Sequence, residues 1–353
     1  MKLRWFFIGI ASAAAVALVL FASSIFNPDS SEEETPSSNP SITRDGETGV
    51  IKVATSTNVW ASVIELIGGE WVEVSAIITD PLQDPHSYEA SARDQLAISD
   101  AELVVANGGG YDEFMEVLLA ATEGEKLFLE LVEGDHSHTE DKESHEGEEG
   151  HTEDEAHSDD EAHSDEEELE GEEHVDEHDH GNEHIWYDLE LVAEAAEHIA
   201  EAITELRPEA FESVTANYDF FISELANLEL RVEALRERSL GTAVIALEGV
   251  GNLMLEHAGF ENITPEALAD AIEEEREVPA VALDQAQSLL AGRVAGLLVV
   301  NAQMLDQVSE SLIQTAEANQ VPVITLSELI PDPELDYLDW MALVLDQLQE
   351  AVY

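Results

Sequence analysis

A histidine preceded by aspartate and proline is the first residue suited to bind a ligand. The tripeptide Asp84-Pro85-His86 lies between an alternating apolar stretch at 71–78, which predicts a strand, and a helical stretch at 91–99. In open α/β sheets, ligands bind at loops that follow the carboxyl ends of strands. The proline restricts the backbone, so we expect a rigidly presented imidazole. Taken alone, the tripeptide also fits an ordinary loop or capping residue.

A second histidine, His184, stands in a similar place. It is followed by Trp186 and Asp188 and precedes an amphipathic stretch at 188–206 that predicts a helix. Two histidines about 100 residues apart, each just before a helix, indicate ligands supplied by two separate loops.

These two stretches resemble motifs of a known family, the substrate-binding proteins of zinc and manganese ABC transporters (ZnuA/TroA-like, cluster A-I). Residues 84–89 are similar to its D-P-H-x-[FYW]-E motif, and His184, Trp186 and Asp188 to its H-x-W-x-D motif. The resemblance covers about residues 50–353. It implies an α/β fold of two parallel-sheet lobes joined by a long rigid helix, with a metal site in the cleft and one histidine ligand from each motif.

The resemblance also implies two carboxylate ligands from the second lobe. Glu248 follows a predicted strand at 243–247, where manganese-type members carry glutamate and zinc-type members usually carry histidine. Glu328 follows the predicted strand at 321–326, where the family places a carboxylate. Asn301 and Gln303 are polar neighbours that could hydrogen-bond these ligands.

The predicted donor set determines the chemistry. The chain has no cysteine, so a metal site must use His, Asp and Glu. Two neutral imidazoles and two carboxylates neutralise a divalent cation, which allows burial without net charge. These donors fit Zn²⁺ or Mn²⁺, whereas Ca²⁺ and Mg²⁺ prefer oxygen alone. Four protein ligands leave no position for an activated water, which favours carriage over catalysis.

The charge balance excludes one class of partner. With 13 basic and 79 acidic residues, the net charge is −66, and nucleic acid requires a basic surface. The charge suits a protein that handles cations or works in high salt, and it equally suits a solvated acidic surface.

The segment 134–183 is rich in acidic residues and carries almost no apolar ones, so we expect it to be disordered. Zinc-type members of the family have a similar loop here, which implies loose metal capture; plain solvating sequence is the alternative. Its nine histidines are His136, His138, His145, His151, His157, His163, His174, His178 and His180.

The N-terminus is typical of a targeting segment. Lys2 and Arg4 precede an uncharged apolar run at 5–22, which predicts a signal peptide or an uncleaved membrane anchor with the remainder outside the cytoplasm. The predicted organisation comprises an anchor at 1–26, a disordered tether at 27–49, a first lobe at 50–206, a linking helix at 207–239 and a second lobe at 240–353.

Taken together, the sequence predicts an extracytoplasmic, monomeric, non-enzymatic protein that captures Zn²⁺ and delivers it to an ABC permease. A manganese carrier is the first alternative; a metal buffer or adhesin at the cell surface is the second. A metallohydrolase is the least favoured, because the chain has no H-E-x-x-H motif. An unperturbed histidine titrates near pH ~6.5, so we also expect metal binding to weaken between pH 7 and 5.

Overall fold

A computed structural model describes residues 49–132, 182–273 and 276–352. The predicted anchor, the tether up to residue 48 and the acidic segment up to residue 181 lie outside the described residues. Within the described ranges, no helix combines the length and apolar character needed to cross a bilayer.

The first lobe is a four-stranded parallel sheet with helices on its faces. The strand order is β2-β1-β3-β4, and all pairings are parallel. Because all four strands run parallel, their carboxyl ends lie at the same end of the sheet. The elements are β1 (Ile51–Thr57), α1 (Asn58–Gly68), β2 (Val72–Ile78), α2 (Ala92–Asp100), β3 (Leu103–Gly108), α3 (Phe114–Ala120) and β4 (Leu127–Val132).

The second lobe repeats this architecture. Its strand order is β6-β5-β7-β8, again parallel throughout, and it includes a two-residue strand, β6, that the sequence pattern does not predict. The elements are β5 (Ala243–Ala246), α6 (Asn252–His257), β6 (Glu261–Asn262), α7 (Glu266–Glu273), α8 (Ala280–Ala291), β7 (Leu297–Asn301), α9 (Gln307–Ala318), β8 (Val323–Leu326) and α10 (Tyr337–Ala351). The predicted fold class, two parallel-sheet α/β lobes, is confirmed.

Two helices lie between the two sheets along the chain: α4 (Leu189–Leu206), which packs on the first lobe, and α5 (Phe211–Ser239), which contacts both lobes. Asp188 caps α4, since its Oδ1 accepts from the backbone N–H groups of Glu190 and Leu191. At 29 residues α5 extends for about 44 Å. It packs against α1 and α4 in the first lobe and against α6 and α10 in the second.

The lobes share one hydrophobic core. Val53 and Leu103 of the first sheet, Val244 and Leu297 of the second, and Phe221 of α5 all belong to a single cluster of buried side chains. Each lobe has a further small core on the outer face of its sheet. The two sheets are therefore held in a fixed relation by apolar packing as well as by chain connection.

Hydrogen bonds reinforce this packing where the lobes meet. Asn58 donates through Nδ2 to the carbonyl of Ile330 at 2.9 Å and accepts from its N–H at 3.0 Å. The Tyr337 hydroxyl donates to the carbonyl of Trp186 at 2.7 Å. Both contacts fix the chain that follows β8, which is the chain that carries Glu328.

Candidate metal centre

The loop after β2 presents His86 at the edge of the first sheet. The Asp84 carboxylate accepts a hydrogen bond from the His86 backbone N–H at 2.9 Å, which closes a tight turn around Pro85. The side chain is 37% exposed, and its Nε2 points towards the second lobe. The aspartate of the motif thus shapes the loop, and the imidazole is left to make contacts across the cleft.

His184 is held more tightly. Asn182 Oδ1 accepts from the His184 backbone N–H and lies 3.0 Å from His184 Nδ1, which selects the tautomer with the proton on Nδ1. The side chain is only 7% exposed. Its buried Nε2 has no hydrogen-bond partner among the described residues. A buried, unpartnered nitrogen lone pair is costly unless something binds it.

Glu328 lies opposite both histidines. Although it follows β8 by two positions, it is almost fully buried, with a side-chain exposure of 2%. Its Oε2 lies 3.5 Å from His86 Nε2 and 3.9 Å from His184 Nε2. Among the described residues, these three side chains form a group whose ligand atoms all lie within 4.8 Å of one another.

These separations suit a single metal ion. Two ligand atoms on a tetrahedral ion with bonds of about 2.1 Å lie about 3.4 Å apart. The two histidine–carboxylate distances of 3.5 and 3.9 Å are close to that value. The donors therefore fit a divalent cation with small adjustments of side-chain torsions.

Glu248 is connected to this group indirectly. Asn301, at the end of β7, donates through Nδ2 to Glu248 Oε2 and also to Glu328 Oε1, the latter at 2.7 Å. Glu248 has a φ of 70°, in the left-handed region that residues with side chains seldom adopt. The structure thus brings three of the four predicted ligands together. The fourth, Glu248, is connected to them through the side-chain amide of Asn301.

Three residues at this site were not predicted as ligands or as their neighbours. The Tyr111 hydroxyl donates to Glu328 Oε2 at 3.2 Å, and its ring contacts those of His86 and His184 edge-on. Asn182 orients His184, as described above. Glu183 Oε1 lies 3.6 Å from His86 Nε2. For Asn182 and Glu183, the only indication in the sequence was that they directly precede the His184 motif.

Gln303, which the sequence places near Glu328 as a polar neighbour, makes hydrogen bonds to both lobes. Its Nε2 donates to the carbonyl of Pro81 in the first lobe at 2.7 Å and to the Ser327 hydroxyl at 3.0 Å. Its Oε1 accepts from the Glu328 backbone N–H at 3.2 Å. Gln303 therefore couples the loop that precedes His86 to the backbone of Glu328.

Burial sets the protonation of the site. Desolvation, followed by the nearby His86, lowers the pKa of His184 to about 3, so this imidazole is neutral at ordinary pH. Desolvation raises the pKa of Glu248 to about 8, aided by the charge of Glu328 and opposed by the Asn301 hydrogen bond. The pKa of Glu328 is also raised, mainly by burial, with His86 and Asn301 acting in the opposite direction.

One consequence can be measured without metal. Because the pKa of Glu248 is raised in the folded state, its contribution to stability is present at low pH and is lost as pH rises towards 8. Glu248→Gln should keep the Asn301 hydrogen bond and remove this loss. We expect it to stabilise the chelator-treated protein at pH 8 by about 2 kcal/mol, allowing for partial solvent screening, and by less at pH 5. Urea unfolding at both pH values measures the difference, and equal or lower stability of the variant at pH 8 would contradict it.

Of the described residues, two other histidines fall outside the group. His198 is exposed on α4. His257 Nε2 lies 3.6 Å from Asp188 Oδ2, so it pairs with the helix cap at the start of α4. Neither is among the donors that converge in the cleft.

The glycine run after β3 has a structural role. The Asp112 carboxylate accepts from the backbone N–H groups of Asn107 and Gly108, which closes the turn that leads to Tyr111. Gly108 has a φ of 80°, and a Cβ there would lie 2.2 Å from the carbonyl oxygen of Val132. Only glycine fits this close approach of two strands.

All four predicted ligands line one cleft between the lobes, with a volume of about 750 Å³. Gly249 lies within it, and a Cβ at that position would meet His184 Nδ1 at 3.3 Å. The Gly249 carbonyl accepts from Asn182 Nδ2 at 2.8 Å. The loop after β5 can thus approach the His184 motif closely enough to place Glu248 at the site.

Comparisons with solved structures agree with this architecture. The periplasmic zinc-binding protein TroA of Treponema pallidum is similar with a TM-score of 0.64 at 17% identity, over 86% of this chain and 99% of that one. A crystal structure of ZnuA is similar with a TM-score of 0.64 at 20% identity, over 86% of this chain and 100% of that one. At these identities, the likeness concerns the fold.

Comparisons of sequence give a relative and a family. The manganese-binding lipoprotein MntA of Halalkalibacterium halodurans is 36% identical over 73 residues. These residues make up 20% of this chain and 24% of that protein, so the chain matches about a quarter of the relative's length. The profile of the family described as "Zinc-uptake complex component A periplasmic" (ZnuA) matches residues 53–351. Since this match takes in both lobes and the connecting helices, the chain belongs to the ZnuA family.

Proposed function

We propose that this chain is an extracytoplasmic binding protein of an ABC importer, which captures a divalent transition metal and delivers it to the membrane permease. The observation that carries the proposal is the convergence of His86, His184 and Glu328 in the cleft between two lobes. The buried Nε2 of His184, which has no hydrogen-bond partner among the described residues, favours binding of a cation.

We propose His86, His184, Glu328 and Glu248 as the metal ligands. Glu248 would join when its carboxylate turns from Asn301 to the ion; Asn301 holds it near Glu328, because its Nδ2 donates to both carboxylates. Two neutral imidazoles and two carboxylates then balance the charge of the ion.

We propose zinc as the cargo and manganese as the alternative. The donors are nitrogen and oxygen without sulfur, a set that both ions accept. The matched family is named for zinc uptake, and the relative from H. halodurans is named for manganese. Four protein ligands suit the tetrahedral preference of zinc, whereas a second carboxylate in place of a third histidine suits manganese.

Carriage accounts for the site better than catalysis. A hydrolytic metal site needs an open coordination position for water and a general base beside it. Here Tyr111, Asn301 and Gln303 are all engaged in holding Glu328 or its backbone. The residues around the donors therefore serve to position ligands, and we propose no enzymatic activity.

A metal competition experiment tests the proposed function. The full chain should be stripped with a chelator, titrated with zinc and with manganese, and examined by native mass spectrometry. We expect one tightly held equivalent per chain and a definite preference between the two ions. If the native chain retained no ion against a chelator of micromolar zinc affinity, the proposed function would fail.

The proposed function also implies a membrane permease as partner and a location outside the cytoplasm. Delivery to a permease requires the folded lobes to lie outside the cytoplasmic membrane, and the charged N-terminus followed by the apolar run at 5–22 fits that placement. We propose a monomer held near the membrane by this segment or released from it after cleavage.

The acidic, histidine-rich segment should be dispensable for tight binding. Residues 135–180 of this segment lie between β4 and Asn182 in the chain, and none of the four proposed ligands is among them. Replacing residues 135–180 with a short Gly-Ser linker should leave one tight equivalent of zinc and change the melting temperature by less than about 3 °C. Calorimetric titration should show loss of the weak zinc equivalents only. A large destabilisation of the metal-free variant would contradict this expectation.

A further inference from the structure

The proposed site has an exposed side and a buried side. On the exposed side, His86 and Glu183 are 37% and 25% exposed, with 3.6 Å between His86 Nε2 and Glu183 Oε1. On the buried side, His184 and Glu328 are 7% and 2% exposed. His86 contacts both sides, since its Nε2 also lies 3.5 Å from Glu328 Oε2.

The Glu183 backbone is fixed in this position. Its carbonyl accepts from Asn107 Nδ2 at 3.0 Å and from the Ile185 N–H at 2.8 Å. Asn107 is buried and is itself held by the indole N–H of Trp60 at 3.1 Å. The carboxylate therefore extends from a rigid base towards His86.

Glu183 can share an ion with His86, but it does not belong to the inner group. A separation of 3.6 Å is close to the ~3.4 Å expected of two ligand atoms on one metal. However, Glu183 is not among the donors that lie within 4.8 Å of one another, which are His86, His184 and Glu328. A cation bound by His86 and Glu183 thus stands at an outer position.

We propose that Glu183 is an entry ligand, which together with His86 binds the incoming divalent cation at the mouth of the cleft and passes it to the buried donors. This inference rests on the proposed function. The hydrated ion exchanges water molecules for Glu183 and His86, and His184 and Glu328 then replace Glu183 while His86 stays bound. The transfer is a ligand exchange with no covalent step. Since release follows the same path in reverse, Glu183 assists both uptake and release.

An entry ligand changes rates and leaves the equilibrium nearly unaltered, which gives a sharp test. The full chain should be studied by stopped-flow tryptophan fluorescence, because the Trp186 ring lies 5.2 Å from that of His184 and reports on the inner site. The variants are Glu183→Gln and, as the matched control, Glu113→Gln, which removes an exposed carboxylate that lines the same cleft. Free zinc and EDTA are the probes for uptake and release.

We expect Glu183→Gln to slow zinc association and EDTA-driven release by about fivefold each relative to Glu113→Gln, with zinc Kd within about twofold of the native value. Equal rates in the two variants would overturn the entry role. A tenfold or greater loss of affinity with unchanged association would also overturn it, because Glu183 would then be a ligand of the final site. Failure of the proposed function looks different: the native chain would bind no tight zinc, or His86→Ala would bind it as well as the native chain.

Discussion

Replacing His184 with alanine is expected to weaken zinc binding by at least about a hundredfold. The substitution removes a neutral imidazole whose Nε2 faces the cleft and is 3.9 Å from Glu328 Oε2. Altering groups that merely support a ligand already costs ten- to a hundredfold in metal affinity, so loss of a ligand should cost more. His86→Ala should have a comparable effect and, being at a partly exposed position, should not disturb the core. Competitive titration against a fluorescent zinc chelator measures both.

His198→Ala is the matched control, because it removes a histidine from the same lobe at an exposed position on α4. It should bind zinc like the native chain. Circular dichroism checks that the His184 variant is folded. If that variant is unfolded, the zinc affinity of His86→Ala tests the site instead. Should both ligand variants hold the tight equivalent as firmly as His198→Ala, the ion binds elsewhere and the site assignment is wrong.

Zinc affinity is expected to rise roughly fiftyfold between pH 6 and pH 8, through Glu248 alone. In the metal-free protein, burial raises the pKa of Glu248 to about 8, so the carboxyl is protonated below that pH and a metal must displace its proton. The affinity for zinc should therefore increase as the pH rises and level off above about pH 8. The raised pKa of Glu328 adds to this slope. Titrating zinc in weakly buffered solution and counting released protons tests it directly.

The sequence predicts that the histidines cause the pH dependence of metal binding, whereas the structure attributes most of it to Glu248. Two unperturbed imidazoles would lose metal between pH 7 and 5, but burial lowers the pKa of His184 to about 3, so this ring hardly competes for protons in that range. Glu248→Gln should abolish about one released proton per zinc at pH 7. Unchanged proton release in that variant would exclude Glu248 as a ligand and leave Glu328 as the coupled carboxylate.

The sequence predicted the architecture well, for physical reasons. Short apolar runs that alternate with helical stretches predict a buried parallel sheet. The strands of four to seven residues in both lobes lie in such runs, and only the two-residue β6 among the described strands was not predicted. Boundaries were less certain where capping decides them. The helix that follows Gly110, α3, begins only at Phe114, because the Asp112 carboxylate closes a turn with the backbone of Asn107 and Gly108.

The candidate site was predictable only in part. The histidines were found because each lies in a motif beside a strand or helix end. Glu328 is buried beside both histidines because the carbonyl and N–H of the preceding residue, Ser327, are fixed by the Tyr187 hydroxyl. Contacts between residues far apart in sequence, such as Tyr111 with Glu328, depend on how the lobes pack, and no local pattern encodes that.

The shared core has a thermodynamic consequence. Side chains from both sheets and from α5 form one buried cluster, so loss of packing in one lobe removes buried contacts from the other. The molecule should therefore melt in a single calorimetric transition, with the van't Hoff enthalpy close to the measured one. A cation bound in the cleft would then raise the temperature of that whole transition, including the α5 end remote from the ion. Proteolytic resistance of distant helices would consequently report the loading state of the metal site.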